Sequence, residues 1–269
     1  MPYVESNGAR IYWEECGSGE PLLMIMGLGY SLEMWGRVVP ALAEHYRVIV
    51  FDNRGVGRSD VPPGPYSIAG MAADAEAVMR AAGLERAHVL GVSMGGMIAQ
   101  EFALQYPERV HSLALGCTAF GGPRAVSAKP AVISILFARA TMSDEEVIHA
   151  MVPYIYDAHT PRERIEEDLA LRRQTLPKPE GYMAQVMALM SWSSDDRLPQ
   201  IKAPTLVVHG ETDELVPAEN GRLIAERIVG AELVILPAAS HIYFTDQPEA
   251  SLNVTLRFLR RHPLPSQTA

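Results

Sequence analysis

Cysteine is nearly absent from this chain of 269 residues: Cys16 and Cys117 stand far apart and form no C-x-x-C pair. A disulfide framework is therefore not indicated, and each cysteine is expected to behave as a small buried apolar residue. Basic residues are also in deficit, with 23 Lys and Arg against 32 Asp and Glu and a net charge of −9. Nucleic-acid binding runs on Lys and Arg neutralising phosphates, so a nucleic-acid partner is not expected, nor is an anionic membrane surface. No apolar run reaches the length that spans a bilayer. The opening MPYVESNGARIYWEE lacks a basic region followed by an apolar stretch, so no signal peptide is read and a cytoplasmic protein is expected. None of the eight histidines stands in an H-E-x-x-H or other ligand spacing, and the GLG at Gly27–Gly29 is not G-x-G-x-x-G. Neither a metal nor a dinucleotide is thus expected, and no other cofactor is implied. Internal repeats and low-complexity segments are missing as well.

What is present is a hydrophobic content of 48%. That is enough to bury a substantial core in one large domain, or in a domain carrying an insertion. Short apolar runs alternate with amphipathic stretches. Strands are expected at Leu22–Met26, Arg47–Phe51, His88–Val92 and Val110–Leu115, with helices at Trp35–His45, Ser67–Ala82 and Met94–Tyr106. Gly83 sits just past the second of these helices, where a left-handed cap is wanted. The rhythm stops after Thr118. Up to Asp196 the stretch reads as helical, with Ser143–Met151, Arg162–Gln174 and Met183–Met190 separated by prolines. It then resumes: strand Thr205–Val208, helix Pro217–Ile228, strand Leu233–Leu236 and helix Pro248–Arg260. Near-continuous apolar strands alternating with helices imply an α/β fold, a mostly parallel sheet with helices on both faces. The expected organisation is a core of residues 1–120 and 197–269, interrupted by a helical cap at 121–196.

Gly91-Val92-Ser93-Met94-Gly95 fits G-x-S-x-G, set between a strand and a helix. A serine on such a turn occupies a strained backbone conformation, and its neighbours two positions away must be tiny for the chain to bend so sharply. The hydroxyl then stands above the sheet edge at a helix N-terminus, where free N–H groups favour developing negative charge. The bland alternative is a glycine-rich turn with a solvated serine. His241 follows the last strand through Pro237-Ala238-Ala239-Ser240. Alone, a loop histidine is more often solvated or structural, but loops after parallel strands lie at the carboxyl edge, as Ser93 does. A general base needs a carboxylate to fix its tautomer. Three acids after the strand Thr205–Val208 compete for that role: Glu211, Asp213 and Glu214. Each also has an ordinary reading as a helix N-cap or dipole partner. Attack on a carbonyl further requires two preorganised donors. The Met94 N–H and, in Met26-Gly27-Leu28-Gly29, the Leu28 N–H are the candidates.

The pieces MGLG, FDNRGVGRSD, GVSMGG, FALQYPERVHSLAL, HGETDELVP and ASHIYFTDQPE resemble the α/β-hydrolase superfamily, in order and over essentially the whole chain. The resemblance places the acid on the Asp of H-G-x-x-D-x-x-V-P, which is Asp213, and implies a helical lid. It is nearest to small-ester hydrolases and 3-oxoadipate enol-lactonase-like enzymes. Two departures stand out: Met26-Gly27 replaces the usual His-Gly of the oxyanion loop, and Ser240 replaces the Gly before the base. A Ser at position 93 counts against dehalogenases and epoxide hydrolases, which use Asp. Ile242 stands where many carbon–carbon bond hydrolases carry Trp. The implied activity is cleavage of a carboxylic ester through an acyl-enzyme on Ser93. Enol-lactone or carbon–carbon hydrolysis, or perhydrolysis, by the same triad is the alternative, and a hydrolase-like ligand receptor is the non-enzyme one.

The insertion is rich in Met, Leu, Ile, Phe, Tyr and Trp. Met183, Met187 and Met190 have helical spacing and are expected in the core. The surplus implies an apolar pocket, with Trp192, Met142 and Ile242 as its candidate lining. Arg172 and Arg173 leave room for an acidic substrate. The partner expected is a small-molecule ester or lactone, and the sequence also admits a homodimer.

Overall fold

The computed structural model describes residues 2–138 and 141–265. Its centre is an eight-stranded sheet: β1 (Tyr3–Ser6), β2 (Ala9–Cys16), β3 (Glu20–Ile25), β4 (Tyr46–Phe51), β5 (Ala87–Val92), β6 (Val110–Gly116), β7 (Thr205–Gly210) and β8 (Glu232–Leu236). The strands run in the order β1-β2-β4-β3-β5-β6-β7-β8. From β4 to β8 every pairing is parallel, whereas β1 and β2 add antiparallel at one end. This sheet is that of the α/β-hydrolase fold, as the sequence resemblance implies.

Side-chain alternation explains why the central strands read as unbroken apolar runs. Leu23 and Ile25 of β3 face one core with Ile49, Phe51, Val89 and Leu113. Leu22 and Met24 face the other with Val48, Val50, Leu90 and Leu206. Both faces are covered, so no polar face is left to break the run. The first face carries α2 (Ile68–Ala81), α3 (Met94–Gln105) and α9 (Glu219–Arg227), and the second carries α1 (Val39–Ala43), α10 (Tyr243–Asp246) and α11 (Pro248–Arg261). Ser67 caps α2 by accepting from the Gly70 N–H, and Gly83 ends it at φ +70°. There Gly83 N donates to Arg80 O and Leu84 N to Met79 O, so two end carbonyls are satisfied.

Between β6 and β7 lie α4 (Pro130–Ala138), α5 (Asp144–Ala150), α6 (Val152–Ile155), α7 (Arg162–Gln174) and α8 (Pro179–Met190). The only extended pairing described in this stretch is one bridge, Gly121 to Ser193, at its two ends. Ser143 and Glu146 form a reciprocal capping box at the start of α5. No helix among the described residues is long and apolar enough to cross a membrane.

Four expectations are corrected. Trp35–His45 is not one helix: a short 3-10 turn ends at Trp35, and α1 begins only at Val39, because Gly36 and Pro40 interrupt regular helix. Cys16 is exposed, since the last three residues of β2 run out into solvent; Cys117 is buried as expected. Met187 and Met190 are not core but 56% and 58% exposed, because α8 buries the adjacent face of Tyr182, Gln185 and Val186 instead. Helices α4, α6 and α10 and the strands β1 and β2 fall outside the elements expected from the sequence.

Candidate active site

The loops that follow β3, β5, β7 and β8 meet at the carboxyl edge of the sheet. Ser93 ends β5 and precedes α3 with φ +59° and ψ −124°, a conformation costly for a non-glycine residue. Its neighbours make the turn feasible. A Cβ on Gly91 would strike the Gly95 backbone, and one on Gly95 would strike the Ile25 carbonyl. A Cβ on Gly27 would come within 3.0 Å of the Ser93 Cβ. Gly91 and Gly95 are therefore dictated by close backbone approach, and Gly27 by tight packing on the Ser93 side chain.

His241 follows β8 and is buried, with Nδ1 2.8 Å from Asp213 Oδ2. The other oxygen of Asp213 accepts from Leu215 N at 2.9 Å and Val216 N at 2.8 Å. Burial alone would raise the Asp213 carboxyl. The charge of His241 and hydrogen bonds from His209 and His241 outweigh it and hold the group down at about 2. Of the three competing acids, Asp213 is the one that faces the histidine. Glu214 turns to Lys129, 3.1 Å away, and Glu211 is exposed. Ser93 and His241 line the same cavity, and no hydrogen bond joins them among the described residues. Such contacts are often loose before substrate engages.

The Met94 N–H, first in α3, and the Leu28 N–H make no hydrogen bond among the described residues, and both residues line the cavity beside Ser93. The loop carrying Leu28 is held from three directions. Asn53 Nδ2 donates to Met26 O at 2.8 Å, and Asp52 Oδ1 accepts from Leu32 N at 2.8 Å. Gln185, fully buried on α8, accepts from Gly29 N at 2.9 Å and donates to Arg54 O at 2.8 Å. These bonds fix the loop, which carries Met26 where the resemblance expects histidine. Asp52 and Asn53 lie in FDNRGVGRSD, a motif noted for resemblance alone. Gln185 had one signal, a polar residue on an otherwise apolar helix face.

The cavity measures about 330 Å³. Ile242 lines it as expected, whereas Trp192 and Met142 do not. The Trp192 indole N–H donates to Glu101 at 2.7 Å and its ring packs in the core, which removes it from the cavity wall. Met142 lies just before α5, half-buried and away from the lining. Arg173 pairs with Glu145, and Arg172 is stacked on Tyr30 with its NH1 on Ile148 O. Cys117, His209 and Asp213 bring one ligand atom each within 4.8 Å of one another. Yet that carboxylate already accepts from His241, and burial pushes the Cys117 thiol well up, away from the thiolate a metal needs.

A second carboxylate, Asp246, holds the loop just before His241. It accepts from Ser240 N at 2.6 Å, Thr160 Oγ1 at 2.5 Å and Asp157 N at 3.3 Å. Asp157 in turn accepts from Thr212 Oγ1, next to Asp213, at 2.7 Å. Burial, together with the negative Asp157, pushes Asp246 up to about 6 against these donors. A folded pKa above the unfolded value of about 3.9 means that the folded state holds the extra proton. This contribution is full below about pH 4 and is lost as pH rises through 6. Denaturant titrations should show wild-type stability falling by about 1–3 kcal/mol relative to Asp246→Asn between pH 4 and 7. Parallel pH curves for the two proteins would contradict this.

Residues 20–149 match the family model described as the alpha/beta hydrolase fold. A provisionally named carbamate hydrolase, RutD of Azorhizobium caulinodans, is 32% identical over 96% of this chain and 98% of its own. A poly(3-hydroxyalkanoate) depolymerase of Ectopseudomonas oleovorans is 33% identical over 91% of this chain and 89% of its own. Among solved structures, the enol-lactonase of Burkholderia xenovorans LB400 superposes with a TM-score of 0.86 at 29% identity, covering 96% of this chain and 100% of that one.

Proposed function

Because the chain belongs to the α/β-hydrolase family, we propose that it is a serine hydrolase that cleaves carboxylic esters of largely apolar substrates. Ser93 is the nucleophile, His241 the general base and Asp213 the acid that orients it. The observation that carries this reading is the 2.8 Å contact of His241 with a deeply ionised Asp213, facing the same cavity as a strained Ser93.

In this mechanism His241 Nε2 takes the Ser93 proton as Oγ attacks the carbonyl carbon. The oxyanion is received by the Leu28 and Met94 N–H groups. His241 returns the proton to the leaving alcohol, an acyl-enzyme remains on Ser93, and water activated by the same base releases the acid. Asp213 stays ionised throughout and stabilises the imidazolium. Residues 121–196 form a cap over this centre, the remainder of the chain being the core.

Two of the relatives support ester chemistry, and the relatives as a group do not fix the substrate. A polyhydroxyalkanoate is a polyester, and an enol-lactone is a cyclic ester. Lactone hydrolysis by the same triad is thus the second reading. Carbon–carbon cleavage is less favoured, with Ile242 after the base. Purified protein should hydrolyse p-nitrophenyl acyl esters with kcat on the order of 1–10³ s⁻¹, typical of enzymes. Binding of these esters without turnover would instead make it a ligand receptor on a hydrolase scaffold.

A further inference from the structure

We propose that the cavity takes an uncharged ester whose apolar chain outgrows it, the far end of the chain lying on an apolar collar of Val126, Ile133, Phe137 and Met190. The proposal rests on the reading of Ser93 as nucleophile and adds the substrate's charge and length.

The charge argument comes from the wall. Among the described residues no Lys, Arg, Asp or Glu lines the cavity; its polar side chains there are Ser93, Ser127, Tyr30 and His241. The flanking cations among the described residues make contacts of their own. Lys129, which follows the lining residue Ala128, is paired with Glu214. Arg173 is held by Glu145, and Arg172 lies on the Tyr30 ring at 4.6 Å. A substrate carboxylate entering here would lose its hydration and meet no cation among the described lining residues, which is strongly unfavourable. A neutral alkyl chain meets Met, Leu, Ile, Val and Phe instead.

The length argument comes from the rim. The cavity of about 330 Å³ is bounded in part by Val126, Ile133, Phe137 and Met190. The cavity opens to solvent at these four residues, so a long chain can pass out over them. Exposed large hydrophobic residues are ordinarily scattered. Here Val126, Ile133, Phe137 and Met190 are 38%, 36%, 39% and 58% exposed and all four also line the cavity. The collar is continuous with the nucleophile's cavity, so a chain leaving the cavity meets apolar surface and not water. The protein's net charge of −9 opposes an anionic lipid surface as the occupant.

The test uses the full chain and p-nitrophenyl butyrate, octanoate and dodecanoate, below their aggregation limits. Each buried methylene multiplies kcat/KM by up to about fourfold. The expected rise from butyrate to octanoate is at least about tenfold, with dodecanoate no lower than octanoate. Adipate mono-p-nitrophenyl ester as its methyl ester should be cleaved at least about thirtyfold faster than as the free acid. Phe137→Gln/Met190→Gln, and separately Ile133→Gln, should lower the dodecanoate-to-butyrate ratio about fivefold or more. Dodecanoate slower than butyrate, equal rates on acid and methyl ester, or collar variants with an unchanged ratio would each overturn the proposal. Collar variants that change sedimentation but not the ratio would make the collar a contact between two copies of this chain, which also overturns it. Turnover with reversed preferences defeats this proposal alone, whereas no turnover of any ester defeats the serine-hydrolase reading with it.

Discussion

Ser93→Ala is expected to lower kcat on p-nitrophenyl butyrate by about 10⁴–10⁶ while the protein stays folded. The two halves of this expectation have separate causes. The Ser93 hydroxyl makes no hydrogen bond among the described residues and faces the cavity, so its removal orphans no described partner. Alanine carries the same Cβ at the same strained φ of +59°, so the turn gains no new clash. The chemistry, in contrast, loses the only atom that can hold the acyl group. Circular dichroism and the melting temperature should match wild type. A variant retaining more than about 1% of the wild-type rate would remove Ser93 from the nucleophile's role, because loss of a triad member costs far more than that.

Asp213→Asn is expected to cost about 10³–10⁴ in kcat, and Glu214→Gln to stay within about tenfold. An asparagine retains an oxygen for the Leu215 and Val216 N–H groups, so the loop keeps its shape. What it removes is the charge 2.8 Å from His241 Nδ1, and an amide N–H pointing there favours the wrong tautomer. Glu214 shares the loop but spends its charge on exposed Lys129, where an ion pair is worth at most about 1 kcal/mol. A larger loss for Glu214→Gln than for Asp213→Asn would move the acid to Glu214. Small, equal losses would place it on another loop.

The parts of this molecule legible in the sequence are those where one local pattern has one structural meaning. Strands buried on both faces read as apolar runs because β3, β4 and β5 have no solvent face to interrupt them. The G-x-S-x-G turn is legible because close backbone approach leaves glycine as the sole solution at positions 91 and 95. The hairpin β1–β2 is half-exposed, so an apolar-run criterion passes over it. Its turn was nevertheless written as Asn7-Gly8, which adopt φ +46° and +75° as a two-residue hairpin turn demands. Among Glu211, Asp213 and Glu214, spacing alone could not choose, since side-chain direction at a loop depends on tertiary contacts. The same limit explains Trp192, whose partner Glu101 lies 91 residues away. It also explains the methionines of α8, whose helical spacing is satisfied equally by a core stripe and by a cavity rim.

The central claim is a covalent intermediate on one serine, and the most direct measurement is to trap it. The protein should be treated with an alkyl fluorophosphonate, which phosphonylates activated serines irreversibly, and its peptides analysed by mass spectrometry. The account predicts one adduct per chain, on Ser93, with esterase activity lost in proportion to labelling and no labelling of the His241→Ala variant on the same timescale. Labelling at a different residue, or full activity in a chain fully modified at Ser93, would contradict it.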